Sequence, residues 1–338
     1  MRTIDELQVL ELFGGIGAIR KALIRQGIPH RVVDYVEKDR NCVKGYNALY
    51  HENFQPRDIV EYHPSTAKVD LLMHGSPCQD FSRTGLKRGG ERGSGTRSSL
   101  LYETIRIIQE MREKPKMILW ENVKGVLDKN FRETFFDYIH ELDRLGYTSQ
   151  YAILNAMDFG IPQKRERIFV VSLLGEKTFD FSMLLRSPTR NITSFLEKDV
   201  PDIYQVRQSS ILSYLNGKPR NQNFEGRVKV IEQFAYTIST KQVRVPNSGV
   251  VDLKNGTYRY LTERECFKLM GFEDGDFNTL RAIYPQRKGR MSSILYREAG
   301  NSIVVNILEA ILQKLLAEVF LEGIYFIKCH SFYLAFEG

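Results

Sequence analysis

Cysteine is scarce in this sequence of 338 residues, which contains only Cys42, Cys78, Cys266 and Cys329. No two of them form a C-x-x-C pair, and none lies at metal-ligand spacing from a histidine. These absences argue against a disulfide framework and against a zinc site, so we expect no bound metal. Isolated cysteines of this kind are typical of proteins in a reducing compartment.

Long apolar runs are missing as well. No stretch approaches the ~18 apolar residues that a transmembrane helix needs. The N-terminus carries Arg2, Asp5 and Glu6 where a signal peptide would have an apolar segment. Internal repeats and low-complexity tracts are also absent. We therefore expect a globular cytoplasmic protein with no membrane partner.

Acidic side chains are outnumbered by basic ones, which gives a net charge of +7. A basic chain suits a polyanionic partner such as nucleic acid. Many soluble proteins are mildly basic, however, so the charge by itself leaves the partner open. Hydrophobic residues make up 42% of the chain, which allows a sizeable core. The length suits two domains, or one domain with an insertion.

The first half of the chain alternates short apolar runs with segments of helical periodicity. This pattern predicts strands over residues 9–13, 31–36, 69–73, 117–120, 149–154 and 167–173. It predicts helices over residues 18–26, 101–111 and 131–145. Strands that alternate with helices at this spacing are typical of an α/β fold with a doubly wound, mostly parallel sheet.

The residue composition of the chain changes from residue 175 onwards. Residues 175–258 mix charged, polar and turn residues with strand-like pieces at 228–231 and 237–245. This mixture predicts a smaller, strand-rich domain inserted into the first. Thr262, with Glu265 three residues later, has the form of a capping box and predicts a helix over residues 262–270. A long amphipathic helix is predicted over residues 303–320.

The turn after the first strand is rich in glycine, with the sequence Phe-Gly-Gly-Ile-Gly at residues 13–17. Glycines there let the backbone approach a ligand at a helix N-terminus. Glu37 ends the second strand, where a carboxylate can accept hydrogen bonds from ribose hydroxyls. The pair suggests a ribose-bearing cofactor. The turn is not the strict dinucleotide signature, and both a structural glycine turn and a nucleotide-dependent oxidoreductase stay open at this point.

Further candidates for chemistry lie at or near other strand ends. Cys78 follows the third strand, where a thiolate is well placed for nucleophilic attack, although a single cysteine is more often buried and inert. Glu121 follows the fourth strand and either protonates a ring nitrogen or simply begins a helix. Arg165 and Arg167 alternate before the last strand, so both face one side and can hold carboxylates or phosphates. A surface strand is the plainer interpretation of that pair.

The order and spacing of these blocks separate the alternatives. The sequence has Phe-Gly-Gly-Ile-Gly at 13–17, Pro-Cys-Gln at 77–79, Glu-Asn-Val at 121–123, Gln-Lys-Arg-Glu-Arg at 163–167 and Gly-Asn-Ser at 300–302. In this order they resemble the motifs of the cytosine-C5 DNA methyltransferases of bacterial and phage restriction-modification systems. The blocks at 155–162 and 261–272 resemble the same family. The resemblance runs from residue 9 to residue 315, and residues 175–258 and 321–338 carry no matching motif.

The resemblance implies that a methyl group is moved from S-adenosylmethionine to carbon 5 of a cytosine flipped out of duplex DNA. Cys78 would attack carbon 6 as a covalent nucleophile. Glu121 would contact N3 and the exocyclic amine of the ring, which requires a raised pKa that burial supplies. Arg165 would support the site near the base carbonyl, and Arg167 would position the catalytic residues.

The same resemblance assigns the binding residues. Those expected to bind S-adenosylmethionine are Phe13, Gly14, Gly15, Ile16, Gly17, Glu37, Asp58, Ile59, Pro77, Leu100, Asn301 and Ser302. Those expected to contact DNA are Gln79, Ser82, Arg97 and Thr237. Ser82 and Arg97 belong to a segment, 80–99, that is rich in glycine and arginine and resembles the family's catalytic loop. By itself that segment is more plainly interpreted as a solvated surface loop.

The resemblance also divides the chain. We expect a catalytic and cofactor-binding domain at 1–174, a target-recognition domain at 175–258, a hinge and DNA-cleft segment at 259–296, and a return to the catalytic domain at 297–338. The partner is double-stranded DNA, bound by a monomer, and any cognate restriction endonuclease would be a separate protein. Two alternatives remain: a cytosine-C5 methyltransferase of transfer RNA, and an inactive nucleic-acid-binding relative.

Overall fold

The computed structural model describes residues 6–76, 100–217, 228–242 and 246–320. Its strands are β1 (Leu7–Leu12), β2 (His30–Val36), β3 (Leu71–His74), β4 (Met117–Val123), β5 (Tyr147–Asn155), β6 (Gln163–Lys164), β7 (Glu166–Leu174), β8 (Ala235–Tyr236), β9 (Val251–Asp252) and β10 (Tyr258–Arg259). Its α-helices are α1 (Ala18–Arg25), α2 (Arg40–Tyr50), α3 (Leu101–Glu110), α4 (Arg132–Arg144), α5 (Ser209–Leu215), α6 (Glu263–Leu269), α7 (Asp274–Ile283), α8 (Ser293–Asn301) and α9 (Val305–Phe320).

Six strands form a central sheet in the order β2-β1-β3-β4-β7-β5. Strands β2, β1, β3 and β4 pair in parallel, whereas β7 runs antiparallel to both β4 and β5. The prediction of a mostly parallel, doubly wound sheet is confirmed. The chain moves outwards from β1 in both directions, to β2 on one side and to β3 on the other. In open sheets of this kind, ligands bind at the carboxyl ends of the strands where the order reverses.

Two apolar clusters lie on the two faces of the sheet. One joins the sheet to α1, α2 and α9, with Leu312 among its buried residues. The other joins the sheet to α3 and α4, with Phe135 among its buried residues. Because both faces are covered, β1, β3 and β4 are largely apolar along their whole length. Glu11 and Glu121 are buried carboxyl groups inside these apolar strands.

Helix ends follow the local signals where the sequence provides them. At α6 the predicted capping box is present, since the Glu265 backbone N–H donates to Thr262 Oγ1 at 3.1 Å and the Thr262 N–H donates to the Glu265 carboxylate at 2.8 Å. Helices α2, α5, α7 and α8 were not predicted. Asp39 caps α2 and Ser292 caps α8, and these caps were the signals available. The apolar faces of the four helices are short, so tertiary packing rather than periodicity holds them.

The described part of residues 175–258 contains less strand than predicted. It holds the two-residue strands β8 and β9, the first residue of β10, the helix α5 and three short 3-10 turns. Residues 237–242 were predicted as strand but follow β8 without strand pairing. Four apolar residues of this part, Val206, Ile211, Val228 and Val250, instead form a small cluster with Tyr260. Single bridges, such as the one from Val230 to Val250, replace the expected ladder.

The end of the described chain returns to the first domain. Helix α9 packs against α1, and Gln163 Nε2 of β6 donates a hydrogen bond to Leu269 O of α6 at 2.8 Å. Residues soon after 175 also pack here, since Phe181 and Phe195 join the cluster that contains α9. This return places the turn between α8 and α9 beside the carboxyl end of β1.

Neither a membrane-spanning helix nor a metal-binding cluster occurs in the ranges given above. No helix there is long and apolar enough to cross a membrane. No group of three or more His, Cys, Asp or Glu side chains there could hold a metal ion.

Candidate active site

The turn between β1 and α1 has a backbone that favours glycine. Gly15 and Gly17 have φ angles of +54° and +75°, in the left-handed region that side chains disfavour. A Cβ on Gly17 would also lie 2.5 Å from the ring of Tyr50. The Tyr50 hydroxyl donates to Gly17 O, and the Tyr35 hydroxyl donates to Gly15 O, each at 2.6 Å. The turn is therefore held as a fixed wall where β1 ends and α1 begins.

Glu37 follows β2 and lies beside this wall. Its Oε2 accepts a hydrogen bond from the Gly15 N–H at 3.3 Å, and its Oε1 accepts one from the Asp39 N–H at 2.8 Å. Burial raises the pKa of the Glu37 carboxyl, and the backbone donors act against that rise. The two backbone hydrogen bonds fix the orientation of the carboxyl group at the edge of a cavity.

Two cavities that share several lining residues open at this end of the sheet. The larger has a volume of about 420 Å³, and the predicted cofactor residues that line it are Phe13, Gly15, Glu37, Asp58, Ile59, Leu100 and Asn301. The smaller has a volume of about 70 Å³, and the predicted cofactor residues that line it are Phe13, Gly14, Gly15, Ile16, Asn301 and Ser302. Gly17 lines neither cavity, so its contribution is to the shape of the turn. A polar and apolar lining of this kind suits a cofactor-sized ligand.

Glu121 lies near the carboxyl end of β4 and lines both cavities. Its Oε1 is 3.3 Å from Arg167 Nε. Burial raises the pKa of the Glu121 carboxyl, while the charges of Arg167 and Arg165 act in the opposite direction. The next residue, Asn122, donates from Nδ2 to Ser76 O at 3.3 Å. The ends of β3 and β4 are thereby tied together beside the cavity.

Arg165 and Arg167 both line the larger cavity but differ in their contacts. Arg165 donates to three backbone carbonyls: Ile238 O at 2.9 Å, Gly300 O at 3.1 Å and Ser302 O at 2.9 Å. Arg167 Nη1 donates to Glu166 O at 2.8 Å, and Arg167 Nε is 3.3 Å from Glu121 Oε1. The charges of both arginines act on the Glu121 carboxyl. The sequence analysis gave Arg165 the place near the base and Arg167 the positioning role. These roles stay predictions.

Several predicted residues fall outside the described ranges: Pro77, Cys78, Gln79, Ser82 and Arg97, together with the rest of segment 80–99 and the tail 321–338. The described chain before this gap reaches Ser76, which lines the larger cavity. Trp120 Nε1 donates to Ser76 Oγ at 3.1 Å. Ser76 lies two residues before Cys78 in the sequence.

Thr237, the described residue that we expected to contact DNA, follows β8. Its hydroxyl donates to Lys164 O at 3.0 Å. Strand β8 pairs with β6, so Thr237 lies close to Arg165 in space. The threonine is therefore near the candidate site, with its hydroxyl proton already used by the backbone of Lys164.

The cavities also contain residues that the sequence analysis did not assign. Cys42 lines both cavities, and Glu11 and Glu298 line the smaller one. Glu11 carried a signal, because a carboxyl group inside an otherwise apolar strand is unusual. Glu298 lies two residues before the Gly-Asn-Ser block and carried none.

Comparisons with known proteins agree on one family. The family described as C-5 cytosine-specific DNA methylase matches residues 7–317. The Type II methyltransferase M2.ScrFI of Lactococcus lactis subsp. cremoris is 30% identical, over 91% of this chain and 99% of that protein. The Type II methyltransferase M.DsaV of Dactylococcopsis salina is 30% identical, over 93% of this chain and 87% of that protein.

A solved structure supports the fold. The Entamoeba histolytica methyltransferase EhMeth matches with a TM-score of 0.74 and 20% identity, over 93% of this chain and 99% of that chain. At this identity the likeness concerns the arrangement of strands and helices.

Proposed function

This chain belongs to the C-5 cytosine-specific DNA methylases, and from that premise we propose that it methylates a flipped-out cytosine through a covalent bond between Cys78 and carbon 6. It is a DNA (cytosine-5-)-methyltransferase, with S-adenosylmethionine as the methyl donor. One observation carries the proposal: Glu121, beside Arg167, lines both cavities that the predicted cofactor residues line. The base and the methyl donor would therefore meet at the carboxyl end of β4.

The residues around the two cavities fit S-adenosylmethionine by their chemistry. Glu37 is a partly buried carboxyl group suited to ribose hydroxyls, and Ile59 and Leu100 offer apolar surface to adenine. Asn301 and the turn at residues 13–17 offer polar groups to the amino-acid part. When bound, the cofactor supplies an electrophilic methyl group on sulfur.

Cys78 is assigned as the nucleophile from the Pro-Cys-Gln motif, since it lies outside the described residues. Its thiolate adds to carbon 6 of cytosine, which places electron density on N3 and makes carbon 5 nucleophilic. Once carbon 5 carries the methyl group, loss of the carbon 5 proton expels the sulfur from carbon 6. The ring regains its aromaticity and Cys78 is free again.

Glu121 would manage the charge that develops on the ring. A carboxyl group that keeps its proton can donate to N3 as the sulfur adds, and can take the proton back as the sulfur leaves. Burial raises the pKa of Glu121 and favours this protonated form. Arg167, whose Nε is 3.3 Å from Glu121 Oε1, is the better placed of the two arginines to face the base carbonyl. We assign Arg165 to the support of the surrounding backbone.

Access to the target requires base flipping, because carbons 5 and 6 lie inside the stacked duplex. Flipping costs a few kcal/mol, which protein–DNA contacts must offset. We propose that residues 175–258 hold the duplex, with Lys229 and Lys241 among the phosphate contacts. We expect the protein to act as a monomer, with any cognate endonuclease as a separate protein.

The proposal is tested with duplex DNA that contains 5-fluorocytosine. Fluorine cannot leave carbon 5 as a proton does, so the covalent complex with Cys78 should accumulate in the presence of S-adenosylmethionine. We expect a band that survives denaturation and a methylated adduct on the peptide that contains Cys78, read by mass spectrometry. An adduct on structured RNA alone would assign the enzyme to RNA instead.

The matched variants are Cys78→Ser and Cys266→Ala. The first should bind the cofactor but form no adduct. Cys266 is buried in the core away from both cavities, so its variant should keep the adduct. Normal turnover of Cys78→Ser would remove Cys78 from the mechanism, and the absence of any adduct with wild-type protein on DNA or RNA would favour an inactive binder.

A further inference from the structure

The smaller cavity has two buried carboxyl groups in its lining, Glu11 from β1 and Glu298 from α8, each about 1% exposed. Tyr46 donates its hydroxyl to Glu11 Oε1 at 2.7 Å. Within the described ranges, no donor reaches Glu11 Oε2 or either carboxyl oxygen of Glu298. Buried polar atoms nearly always have partners, so these three oxygens need an explanation.

The charged groups around each carboxyl do not supply the missing partner. Those that act on Glu298 are Arg297, Asp39, Cys42 and Tyr284, and those that act on Glu11 are Tyr46, Arg20, Tyr35 and Tyr50. Arg297, whose charge acts on Glu298, forms an ion pair with Asp39 at 3.2 Å. Arg20, whose charge acts on Glu11, forms an ion pair with Glu52 at 2.8 Å.

The cavities divide the cofactor between them. The larger contains Glu37, Ile59 and Leu100, which suit the adenosine part. The smaller is then left for the amino-acid part, which has one carboxylate and one ammonium group. Ser302 and the N-terminus of α1 suit the carboxylate. The two buried glutamates suit the ammonium group, since a cation in a water-poor cavity is attracted strongly by nearby carboxylates.

We propose that Glu298, together with Glu11, forms the subsite for the cofactor's amino group, and that cofactor binding therefore releases a proton. This inference rests on the proposed function, because it needs S-adenosylmethionine in these cavities. In the empty protein, burial raises the pKa of Glu298 to about 8 and that of Glu11 to about 7. A bound ammonium group favours the ionised carboxylates, so protons must leave near neutral pH.

The sign of the pH dependence follows from this. At pH 6 a carboxyl group must lose its proton before the cation can bind. At pH 8 a larger fraction of the two carboxyl groups is already ionised. The affinity should therefore rise with pH between 6 and 8. S-adenosylhomocysteine is the suitable probe, because it has the same amino group and permits a measurement without catalysis.

The first test is calorimetry of S-adenosylhomocysteine binding to the wild-type protein, in buffers with different heats of ionisation. We expect net proton release at pH 7. The analogue without the α-amino group should bind about tenfold more weakly or worse and release no proton. Equal affinity and equal proton release for the two ligands would overturn the subsite and leave the proposed function standing. Failure of S-adenosylhomocysteine to bind at all would instead overturn the cofactor assignment, and the subsite with it.

The second test compares Glu298→Gln with Glu309→Gln. Glu309 is another glutamate with a raised pKa, but it is less buried than Glu298, pairs with Arg25 and does not line either cavity. Glu298→Gln should weaken S-adenosylhomocysteine binding about tenfold at pH 8 and flatten its pH dependence, whereas Glu309→Gln should bind like the wild type. Unchanged affinity and pH dependence in Glu298→Gln would contradict the proposal.

Thermal stability separates this role from a purely structural one. A carboxyl whose pKa is raised on folding stabilises the folded state below its unfolded pKa, and that stability is lost as pH rises through the folded pKa of about 8. Glutamine cannot ionise, so the Glu298→Gln variant lacks this loss of stability at high pH. The empty Glu298→Gln variant should therefore melt at a higher temperature than the wild type at pH 8, while it binds the ligand less well. A variant that melts lower and binds normally would show that Glu298 only supports the fold.

Discussion

At the scale of single residues, the site depends on carboxyl groups whose surroundings differ. Glu121 is buried next to Arg167, so desolvation and an ion pair act on its pKa in opposite directions. Glu37 is held by two backbone N–H groups. One environment suits a group that exchanges a proton with a ring nitrogen, and the other suits a fixed acceptor for hydroxyl groups.

This difference predicts that one substitution lowers the catalytic rate and that the other weakens cofactor binding. Glu121→Gln keeps the size of the side chain but loses the exchangeable proton, so kcat should fall by about 10²–10⁴-fold while the affinity for S-adenosylhomocysteine stays the same. Glu37→Ala should mainly weaken cofactor binding. Steady-state kinetics with DNA and calorimetry of S-adenosylhomocysteine binding provide the two measurements. An unchanged cofactor dissociation constant in Glu37→Ala would contradict the assignment of Glu37.

At the scale of elements, a single joint connects three separate parts of the chain. Arg165, between β6 and β7, donates to Ile238 O after β8 and to Gly300 O at the end of α8. A Cβ on Gly300 would lie 2.5 Å from the Ser239 backbone carbon and 2.6 Å from the Thr240 nitrogen. Backbone thus packs directly on backbone here, next to the Asn301 that lines both cavities. Residues 238–240 and the two cavities share this contact.

Gly300→Ala should disturb both sides of the joint. The added methyl group has no space, so the free energy of unfolding should fall by about 1–3 kcal/mol. Asn301 should shift with the backbone, which predicts weaker binding of S-adenosylhomocysteine. Urea denaturation and calorimetry measure the two effects.

Gly275→Ala is the control for this change. Gly275 lies in α7 with nothing within 4 Å of the added carbon, so alanine should stabilise the protein by about 0.4–1 kcal/mol. If Gly300→Ala were as stable as the wild type and bound the ligand normally, the joint would have no role.

At the scale of the whole molecule, net charge and topology together describe a DNA-binding enzyme. The chain carries a charge of +7, and its C-terminal helices return to the sheet that the N-terminal strands begin. The chain on both sides of residues 175–258 therefore packs on the same sheet. A base flipped out of a duplex bound along this inserted part would have Glu121 and the cavities close to it.

The charge predicts salt-dependent DNA binding. If the protein makes as few as two phosphate contacts, a rise in salt from 50 to 200 mM should lower its affinity for duplex DNA about tenfold. Fluorescence anisotropy of a labelled duplex across this range gives the slope. Binding of S-adenosylhomocysteine, measured at the same salt concentrations, should change far less, because salt screens buried charges much less than exposed ones. A DNA affinity that does not respond to salt would argue against phosphate contacts.

Local signals account for most of what was predicted correctly. The apolar runs predicted the central strands because both faces of the sheet are buried. The capping box at Thr262 predicted α6 because the hydrogen bonds involved span only three residues. The inserted part was predicted less well, because its apolar residues pack into a small cluster through isolated bridges rather than long ladders.

The sequence by itself determined the α/β class, the family and the identity of the candidate residues, since all of these depend on short motifs in a fixed order. Only the tertiary structure decided which residues meet. The roles that we propose for Arg165 and Arg167 depend on the contacts of Arg165 with Ile238 and Gly300, which are distant from it in the chain. Glu11 and Glu298 line the same cavity only because α8 returns to the end of β1. Contacts between residues so far apart in the chain arise from packing across the whole fold, so local sequence patterns do not predict them.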